Sequence, residues 1–300
     1  MDPIPSSNAG TARVIGGDTR LLAVLGDPVR HSLSPVMHNA ALAALALDAR
    51  YLALPVSGDR LAEAVQGLAA LGCAGFNVTI PHKERIAPLL TRLEPVARQL
   101  GAVNTVVPDG GGGWIGTNTD WEGFLAPLQQ RPLAGRQALM LGSGGSGRAV
   151  LRAAAALGLG EVVVRGRDPG RLQALIQAAT PWAPPLRPLD WNAPLDAVLP
   201  TTALVVNVTP LGMGSQSEAM PLEPADLARL PAEALVVDLI YTPRPTRLLR
   251  EAAALGLATL DGLEMLVQQG AAALRLWTGR AEVPVAVMRQ AVERALNGPA

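Results

Sequence analysis

Residues 136–166 read RQALMLGSGGSGRAVLRAAAALGLGEVVVRG, and this stretch decides the fold. A short apolar run leads through a glycine-rich turn into an alanine-rich segment, and a second apolar run rich in valine follows. Short apolar runs bounded by turn signals are typical of buried strands, and alanine favours the helix between them. The order strand, helix, strand predicts a parallel βαβ unit that starts near Leu133.

The alternation of strand and helix signals extends from Leu21 to Leu260, so the predicted fold class is α/β with parallel-type sheets. The other predicted strands cover residues 21–26, 50–56, 76–80, 102–108, 114–118, 203–209, 234–240 and 257–262. Predicted helices cover residues 35–47, 59–71 (capped by Asp59), 121–128, 169–179, 263–277 and 283–296, with a helical stretch through residue 98 and an extended proline-rich loop over 180–191. We expect two domains: an α/β domain over 18–122, completed by returning C-terminal helices over 263–297, and a Rossmann-like domain over 123–262.

Composition favours a globular protein that binds a small molecule. The chain has 300 residues, of which 49% are hydrophobic, enough to bury a sizeable core. Its 25 basic and 25 acidic side chains cancel, and no Lys/Arg-rich run offers a surface for nucleic acid. We therefore expect a small-molecule ligand and no nucleic-acid partner.

Three features favour a cytoplasmic location. Cys73 is the only cysteine, so no disulfide forms within the chain and no thiolate cluster binds zinc. The start, MDPIPSSNAGTARVIGG, lacks the basic and apolar regions of a signal peptide and is predicted to be a frayed tail. The longest uncharged run, residues 197–217, is interrupted by proline and glycine, so we expect no membrane span.

The glycine turn Gly142-Ser143-Gly144-Gly145-Ser146-Gly147 suits a phosphate group. Glycines permit a tight turn and a close approach of backbone amides to phosphate oxygens, and the helix N-terminus adds the positive end of a dipole. The spacing is GxGGxG rather than GxGxxG, so a plain glycine-rich turn stays an alternative.

A second turn bears on the choice of nucleotide. Where an acidic residue would bind the ribose hydroxyls of NAD, the chain has Gly166-Arg167-Asp168-Pro169-Gly170-Arg171. Guanidinium groups bind phosphate through paired hydrogen bonds, so the two arginines favour the 2'-phosphate of NADP.

Polar residues of the predicted first domain fall at strand ends and beside a helix start. Ser32 and Ser34 could hold a carboxylate or could cap the helix that follows. Lys83, after the strand FNVTI, is either a reagent or a solvated surface charge. Asn104 and Asp120 end predicted strands, and Asp120 could instead be the N-cap of helix 121–128. His31 and His38 lack metal-binding spacing, so both are expected to be structural, and no metal site is expected.

Eight collinear motifs together resemble the shikimate dehydrogenase family across nearly the whole chain. They are GDPVRHSLSPVMHN, GFNVTIPHK, GAVNT, GTNTD, GSGGSGRA, NVTPLGM, DLIYTPRPTRLL and DGLEMLVQQGAAALRLWTG. The resemblance implies an NADP-dependent oxidoreductase that reversibly reduces 3-dehydroshikimate to shikimate, on the route to chorismate and the aromatic amino acids. It also implies that the first domain binds the substrate and that the second binds NADP.

The resemblance implies residue roles as well. Lys83 and Asp120 match the catalytic pair. In this pair the Lys83 ammonium would protonate the forming alkoxide, and Asp120 would orient that ammonium. The matching substrate-binding residues are Ser32, Ser34, Asn77, Thr79, Asn104, Asp120, Tyr241 and Gln269. The matching cofactor-binding residues are Gly142, Ser143, Gly144, Gly145, Ser146, Gly166, Arg167, Asp168, Arg171, Leu239 and Gly262.

One departure from the family pattern keeps alternatives open. The family's usual Asn-Arg-Thr at the adenosine turn is Gly166-Arg167-Asp168 here, and an inward-facing Asp168 would repel a 2'-phosphate. Asp168 precedes Pro169, so we expect it to cap helix 169–179 instead. A quinate/shikimate dehydrogenase that accepts NAD and a catalytically idle binding module are the alternatives. The oligomeric state is open, with a homodimer as one option.

Overall fold

The structure is a computed structural model that describes residues 15–298. Residues 1–14, which make up most of the predicted frayed tail, lie outside the described residues. The described chain divides into two compact units, residues 15–123 with 266–298, and residues 124–265. Among the described residues, no helix is long and apolar enough to cross a membrane.

The first unit is built on a mixed six-stranded sheet. Its strands, in the spatial order β2-β1-β3-β5-β6-β4, are β1 (Arg20–Gly26), β2 (Ala49–Pro55), β3 (Gly75–Val78), β4 (Arg92–Leu93), β5 (Thr105–Pro108) and β6 (Trp114–Thr117). The β1–β2, β1–β3 and β4–β6 pairs are parallel, whereas β3–β5 and β5–β6 are antiparallel. The helices are α1 (Ser34–Ala44), α2 (Leu61–Ala70), α3 (Pro95–Leu100) and α4 (Asp120–Leu125), with 3₁₀ turns at Ala87–Leu89 and Ala126–Leu128.

Three local predictions for this unit are wrong in detail. Strand β3 ends at Val78, so Ile80 lies beyond it and is 73% exposed. Residues 75–78 are all buried because β3 lies inside the sheet, so the predicted half-buried alternation is wrong. Helix α2 begins at Leu61 after Arg60 and has no side-chain cap, so Asp59 does not cap it. The predicted helical stretch through residue 98 is divided among a 3₁₀ turn, β4 and α3, and both helical pieces contain a proline near their start.

The second unit has a six-stranded sheet in which all the strand pairs are parallel. Its strands, in the order β12-β11-β10-β7-β8-β9, are β7 (Gln137–Leu141), β8 (Glu161–Gly166), β9 (Leu186–Asp190), β10 (Thr202–Asn207), β11 (Leu235–Asp238) and β12 (Ala258–Leu260). The helices are α5 (Gly145–Ala156), α6 (Pro169–Ala179), α7 (Pro224–Leu227) and α8 (Arg247–Ala254), with 3₁₀ turns at Leu199–Thr201 and Gly214–Gln216. This is the Rossmann-like arrangement, with β7 opening it at the glycine turn.

The proline-rich segment predicted as an extended loop contains strand β9, so that prediction is wrong. Within the described part of the chain, strand β9 pairs only with β8 and forms the edge of the sheet. Pro188 is tolerated there because an edge strand does not need every amide for pairing.

Two C-terminal helices complete the chain: α9 (Gly262–Thr278) and α10 (Val285–Asn297). From Leu266 onward they belong to the first unit, where α10 packs against α1. Trp277 on α9 is buried and donates through Nε1 to the carbonyl of Val106 at 3.0 Å. Gly75 makes room for it, because a Cβ there would collide with the indole ring.

Candidate active site

Lys83 and Asp120 meet in the first unit although 37 positions separate them. Lys83 lies on the loop after β3, and its Nζ is 2.6 Å from Oδ2 of Asp120. The Lys83 side chain is 26% exposed and that of Asp120 is 11% exposed, so the pair is shielded without being sealed from solvent. Asn104 donates through Nδ2 to the other carboxylate oxygen at 2.7 Å.

Asp120 is the first residue of α4, and its carboxylate binds other side chains instead of capping the helix. Its two oxygens accept from Lys83 and Asn104. Its backbone amide donates to Oδ1 of Asn118 at 3.0 Å, which fixes the direction in which the side chain leaves the helix. The geometry therefore favours the ion pair over the N-cap alternative.

A buried hydrogen-bond network of neutral side chains supports the Lys83–Asp120 pair. Asn104 Oδ1 accepts from the Thr119 amide at 2.7 Å and from the Thr105 hydroxyl at 2.9 Å. Asn77 donates both amide hydrogens, to the Asn104 carbonyl and the Thr105 hydroxyl, each at 3.0 Å. Tyr51 closes the network by donating to Oδ1 of Asn77 at 2.6 Å. A fully satisfied buried network fixes one arrangement of its members.

Ser32 and Ser34 lie at the start of α1, but Ser34 is not its N-cap. The cap position is Leu33, and no side chain accepts a capping hydrogen bond there. Instead, Ser32 Oγ accepts from the Ser34 amide at 3.2 Å, and Ser34 is buried. The capping alternative is therefore wrong for Ser34, while Ser32 satisfies one of the free amides at this helix end.

Thr79 and Gln269 occupy different surroundings in the same unit. Thr79 is half-buried on the loop after β3, and its Cγ2 lies against Gly26, where a Cβ would collide with it. Gln269 lies on α9, with Oε1 3.5 Å from Asn104 Nδ2, and donates through Nε2 to the Leu266 carbonyl at 2.8 Å. Gln269 thus reaches the edge of the polar network.

Sequence reasoning missed Tyr51, Thr105, Asn118 and Thr119 as members of this network. Asn118 and Thr119 lie within the GTNTD motif, which was the available signal, whereas Tyr51 looks like an ordinary strand residue. His38 stacks on Tyr51 with ring centroids 4.3 Å apart, and its burial lowers the pKa of the imidazole to about 3. His38 is therefore a neutral, structural residue, whereas His31 is exposed.

In the second unit, the glycine turn leaves its backbone open at the N-terminus of α5. Gly142 has a φ of +111°, in the left-handed region that favours glycine, and its amide donates to the Arg165 carbonyl at 2.8 Å. At Gly144 and Gly145 an added Cβ would meet no atom within 4 Å. Ser143 and Ser146 complete the turn, and Ser143 Oγ lies 3.3 Å from where a Cβ of Gly166 would be. This arrangement fits a pyrophosphate group.

The arginine turn follows β8, and Asp168 is the N-cap of α6, as predicted. Its Oδ1 accepts from the Arg171 amide at 3.0 Å, and its Oδ2 lies 3.6 Å from Arg171 Nε. The carboxylate is thus directed at the helix and at Arg171. Arg167 is exposed, and within residues 15–298 it forms no ion pair.

The loop after β11 carries Leu239 and Tyr241 and is tied to a buried carboxyl group. Asp238 accepts from the Ile240 amide at 3.1 Å, the Thr246 hydroxyl at 2.8 Å and Asn207 Nδ2 at 3.0 Å. Desolvation raises the pKa of Asp238 to about 6, and the three hydrogen bonds oppose this shift.

Gly262, at the start of α9, lies against this loop. A Cβ there would collide with the Leu239 carbonyl, and the Gly262 amide donates to the Ile240 carbonyl at 3.2 Å. Burial raises the pKa of the Tyr241 phenol. The described residues contain no group of three or more His, Cys, Asp or Glu side chains placed to hold a metal ion.

Fold and site together define a class: a two-unit α/β oxidoreductase with a Rossmann-like unit and an ammonium–carboxylate pair in the other unit. Comparison with known proteins makes this specific. The family profile of the shikimate dehydrogenase substrate binding domain matches residues 24–106, and that of the shikimate 5'-dehydrogenase C-terminal domain matches residues 262–293. The chain belongs to the shikimate dehydrogenase family.

Individual relatives agree over nearly the full length. The chain is 54% identical to a shikimate dehydrogenase (NADP(+)) of Synechococcus sp. over 95% of its own length and 97% of the relative's. It is similar to the crystal structure of shikimate 5-dehydrogenase from Thermus thermophilus in complex with NADP(H) and shikimate, with 40% identity, a TM-score of 0.81, and coverage of 92% and 100% of the two chains. It is also similar to quinate dehydrogenase from Corynebacterium glutamicum in complex with NAD, with 32% identity, a TM-score of 0.85, and coverage of 92% and 99%.

Proposed function

We propose that this chain catalyses the reversible NADPH-dependent reduction of 3-dehydroshikimate to shikimate, on the route to chorismate and the aromatic amino acids. The observation that carries this proposal is the Lys83–Asp120 pair, 2.6 Å apart, in a chain 54% identical to a shikimate dehydrogenase (NADP(+)). We also infer a cytoplasmic location, which suits a biosynthetic enzyme with a single, buried cysteine.

The chemistry assigned to the first unit is proton transfer to a ketone oxygen. When bound, NADPH supplies the hydride that the ketone carbon receives. As negative charge develops on the ketone oxygen, the Lys83 ammonium donates a proton to it. Asp120 holds that ammonium at 2.6 Å and stabilises its charge, and Asn104 fixes the carboxylate.

Substrate recognition is assigned to other polar side chains of the chain. Ser32 and Ser34 are proposed to bind the substrate carboxylate beside the first turn of α1, where the helix dipole favours an anion. Asn77, Thr79, Asn104, Tyr241 and Gln269 are proposed to bind ring hydroxyls or the carboxylate. Both amide hydrogens of Asn77 are already donated, so Asn77 would act as an acceptor through the free lone pair of Oδ1.

The second unit is proposed to hold NADP. Gly142 to Ser146 would bind the pyrophosphate through backbone amides at the start of α5, and Leu239 and Gly262 would line the nicotinamide end. At the adenosine end, Gly166 gives no carboxylate to claim both ribose hydroxyls, so Arg167 would bind the 2'-phosphate, with Asp168 and Arg171 at the rim of this turn. These assignments correspond to a substrate domain over 18–122 with 263–297 and an NADP domain over 123–262.

Initial rates with two substrates and two cofactors test the proposal. Shikimate and quinate are each oxidised with NADP and with NAD, and we expect shikimate with NADP to have the highest specificity constant. A preference for quinate with NAD would support the second candidate, a quinate/shikimate dehydrogenase, which the similarity to quinate dehydrogenase favours. Absence of turnover with all four pairs would indicate an idle binding module. Light scattering tests whether the chain forms a homodimer.

A further inference from the structure

Trp191 stands beside the two arginines at the end of β8. Strands β8 and β9 pair in parallel register, with Arg165 opposite Leu189 and Gly166 opposite Asp190. Arg167 and Trp191 directly follow the last paired residues of the two strands. The guanidinium carbons of Arg165 and Arg167 lie 5.1 Å and 5.4 Å from the Trp191 ring centroid. Both distances are in the range of cation–π contact.

The two cations on this ring are not neutralised by a carboxylate. Within residues 15–298, neither Arg165 nor Arg167 forms an ion pair, and Nε of Arg165 is buried without an acceptor. Burial lowers the pKa of the Arg165 guanidinium, and Asp226 and Asp190 oppose this shift from beyond ion-pair distance. The guanidinium donates to the Ala193 carbonyl at 3.5 Å. The turn therefore presents unneutralised positive charge.

The turn that carries Arg167 adjoins the glycine turn, because the Gly142 amide donates to the Arg165 carbonyl at 2.8 Å and Ser143 Oγ lies 3.3 Å from where a Cβ of Gly166 would be. Asp168 and Arg171, the other charged residues of the turn, pair with each other. Arg167 is thus the exposed cation of this turn without a carboxylate partner among the described residues, and its guanidinium lies against the aromatic face of Trp191. A phosphate monoester arriving here would meet a guanidinium whose orientation is restricted by the ring.

We propose that Trp191 is a specificity-determining residue that positions the Arg167 guanidinium for the 2'-phosphate of the cofactor, with Arg165 as the second cation on the ring. The proposal rests on the proposed function, because it presupposes that NADP binds at this turn. An arginine side chain loses rotamer freedom when it binds phosphate, and stacking on the indole removes part of that loss in advance. NAD has no 2'-phosphate, so the ring does not affect its affinity.

Calorimetric titration of the full chain with 2',5'-ADP and with 5'-AMP tests this proposal. We expect Trp191→Ala to weaken 2',5'-ADP binding by about two- to fivefold, the size of an exposed cation–π contact, and to leave 5'-AMP binding unchanged. Trp191→Phe, which keeps an aromatic face, should give an intermediate loss and serves as the conservative variant if Trp191→Ala unfolds. Arg167→Ala should weaken 2',5'-ADP by about tenfold or more. In that background, Trp191→Ala should cause no further loss.

Each other outcome overturns the proposal in an identifiable way. Equal weakening of both ligands by Trp191→Ala would mean that the indole contacts adenine or only supports the fold. A further loss in the Arg167→Ala background would mean that Trp191 does not act through Arg167. If Arg167→Ala weakens 2',5'-ADP and Trp191→Ala does not, this inference alone fails. A wild type that binds both ligands equally would refute the NADP preference and the inference together.

Discussion

Each unit contains a shielded aspartate beside an asparagine, and the two aspartates are held in opposite ways. Asp120 accepts from Asn104 and from the Lys83 ammonium. Asp238 accepts from Asn207, from the Thr246 hydroxyl and from a backbone amide, and residues 15–298 supply no cation to it as a hydrogen-bond partner. Asp120 keeps part of its side chain exposed, whereas Asp238 is fully buried.

The difference separates a carboxylate that can take part in chemistry from one that anchors a loop. The proposed ketone reduction needs a proton donor that is shielded but still accessible, and the Lys83 side chain is 26% exposed. Asp238 instead joins β10, β11 and the start of α8 through neutral donors, at the cost of a raised pKa. An aspartate at a strand end is therefore not by itself a sign of catalysis, and its partners decide.

The largest expected effect is on turnover. Lys83→Ala should lower kcat by about two to four powers of ten, the usual range for loss of a general acid, with a much smaller change in the Michaelis constant. Steady-state kinetics with shikimate and NADP measure this. Thermal unfolding of the same variant is the control, because it shows whether any loss of turnover comes from loss of the folded protein. Retention of most turnover would remove Lys83 from the mechanism.

The matching change in the second unit should affect stability first. Asp238→Ala leaves buried donors of Thr246, Ile240 and Asn207 without an acceptor, and we expect the free energy of unfolding to fall by about 3 kcal/mol. Denaturant titration measures it, with Lys83→Ala as the comparison variant. If both variants lose the same stability, the distinction between reagent and anchor does not hold.

The pH dependence of stability should show the contribution of the Asp238 carboxyl separately from that of the rest of the chain. Its pKa is raised to about 6 in the folded chain, so its contribution to stability is fully present below the unfolded pKa and is lost as pH rises through 6. Between pH 4 and 6 this contribution should fall by about 2 kcal/mol, and Asp238→Asn should not show the fall. The lowered pKa of His38 acts with the opposite sign in this window, but it cancels when the variant is compared with the wild type. Parallel pH profiles would contradict the assignment.

The smallest effect is expected at a third, exposed carboxylate. Asp168→Thr keeps a side-chain oxygen that can cap α6, so stability should change by less than about 1 kcal/mol. Removing one surface charge near Arg167 should improve the affinity for NADP about twofold and leave NAD unchanged. Fluorescence titration with both cofactors measures this. Weaker NADP binding would show that Asp168 supports the phosphate site rather than opposing it.

Local features of this chain were predictable from sequence, whereas contacts between distant residues were not. The Asp168 cap and helix α6 follow from an Asp-Pro pair, because capping depends on adjacent residues. Strand β9 was missed because Pro188 argues against a strand unless its edge position is known.

The candidate site shows the same division. Spacing could not predict that Lys83 meets Asp120, and only the family resemblance joined them. Tyr51 gave no polar signal, since it lies in an apolar strand and its role depends on Asn77 coming within hydrogen-bond distance. The type of each residue can be read directly along the chain, but which residues contact one another depends on the fold.

The packing of Trp277 against Gly75 affects the order in which the two units can fold during synthesis. Trp277 follows its hydrogen-bond partner Val106 by 171 positions, and the whole second unit is translated between them. On the ribosome, the second unit can therefore emerge and fold while the sheet of the first unit still lacks α9, the helix that covers Gly75. The first unit, whose translation begins first, is therefore completed last. Until α9 has been made, the apolar surface at Gly75 that Trp277 later covers stays exposed, and chaperones can protect it.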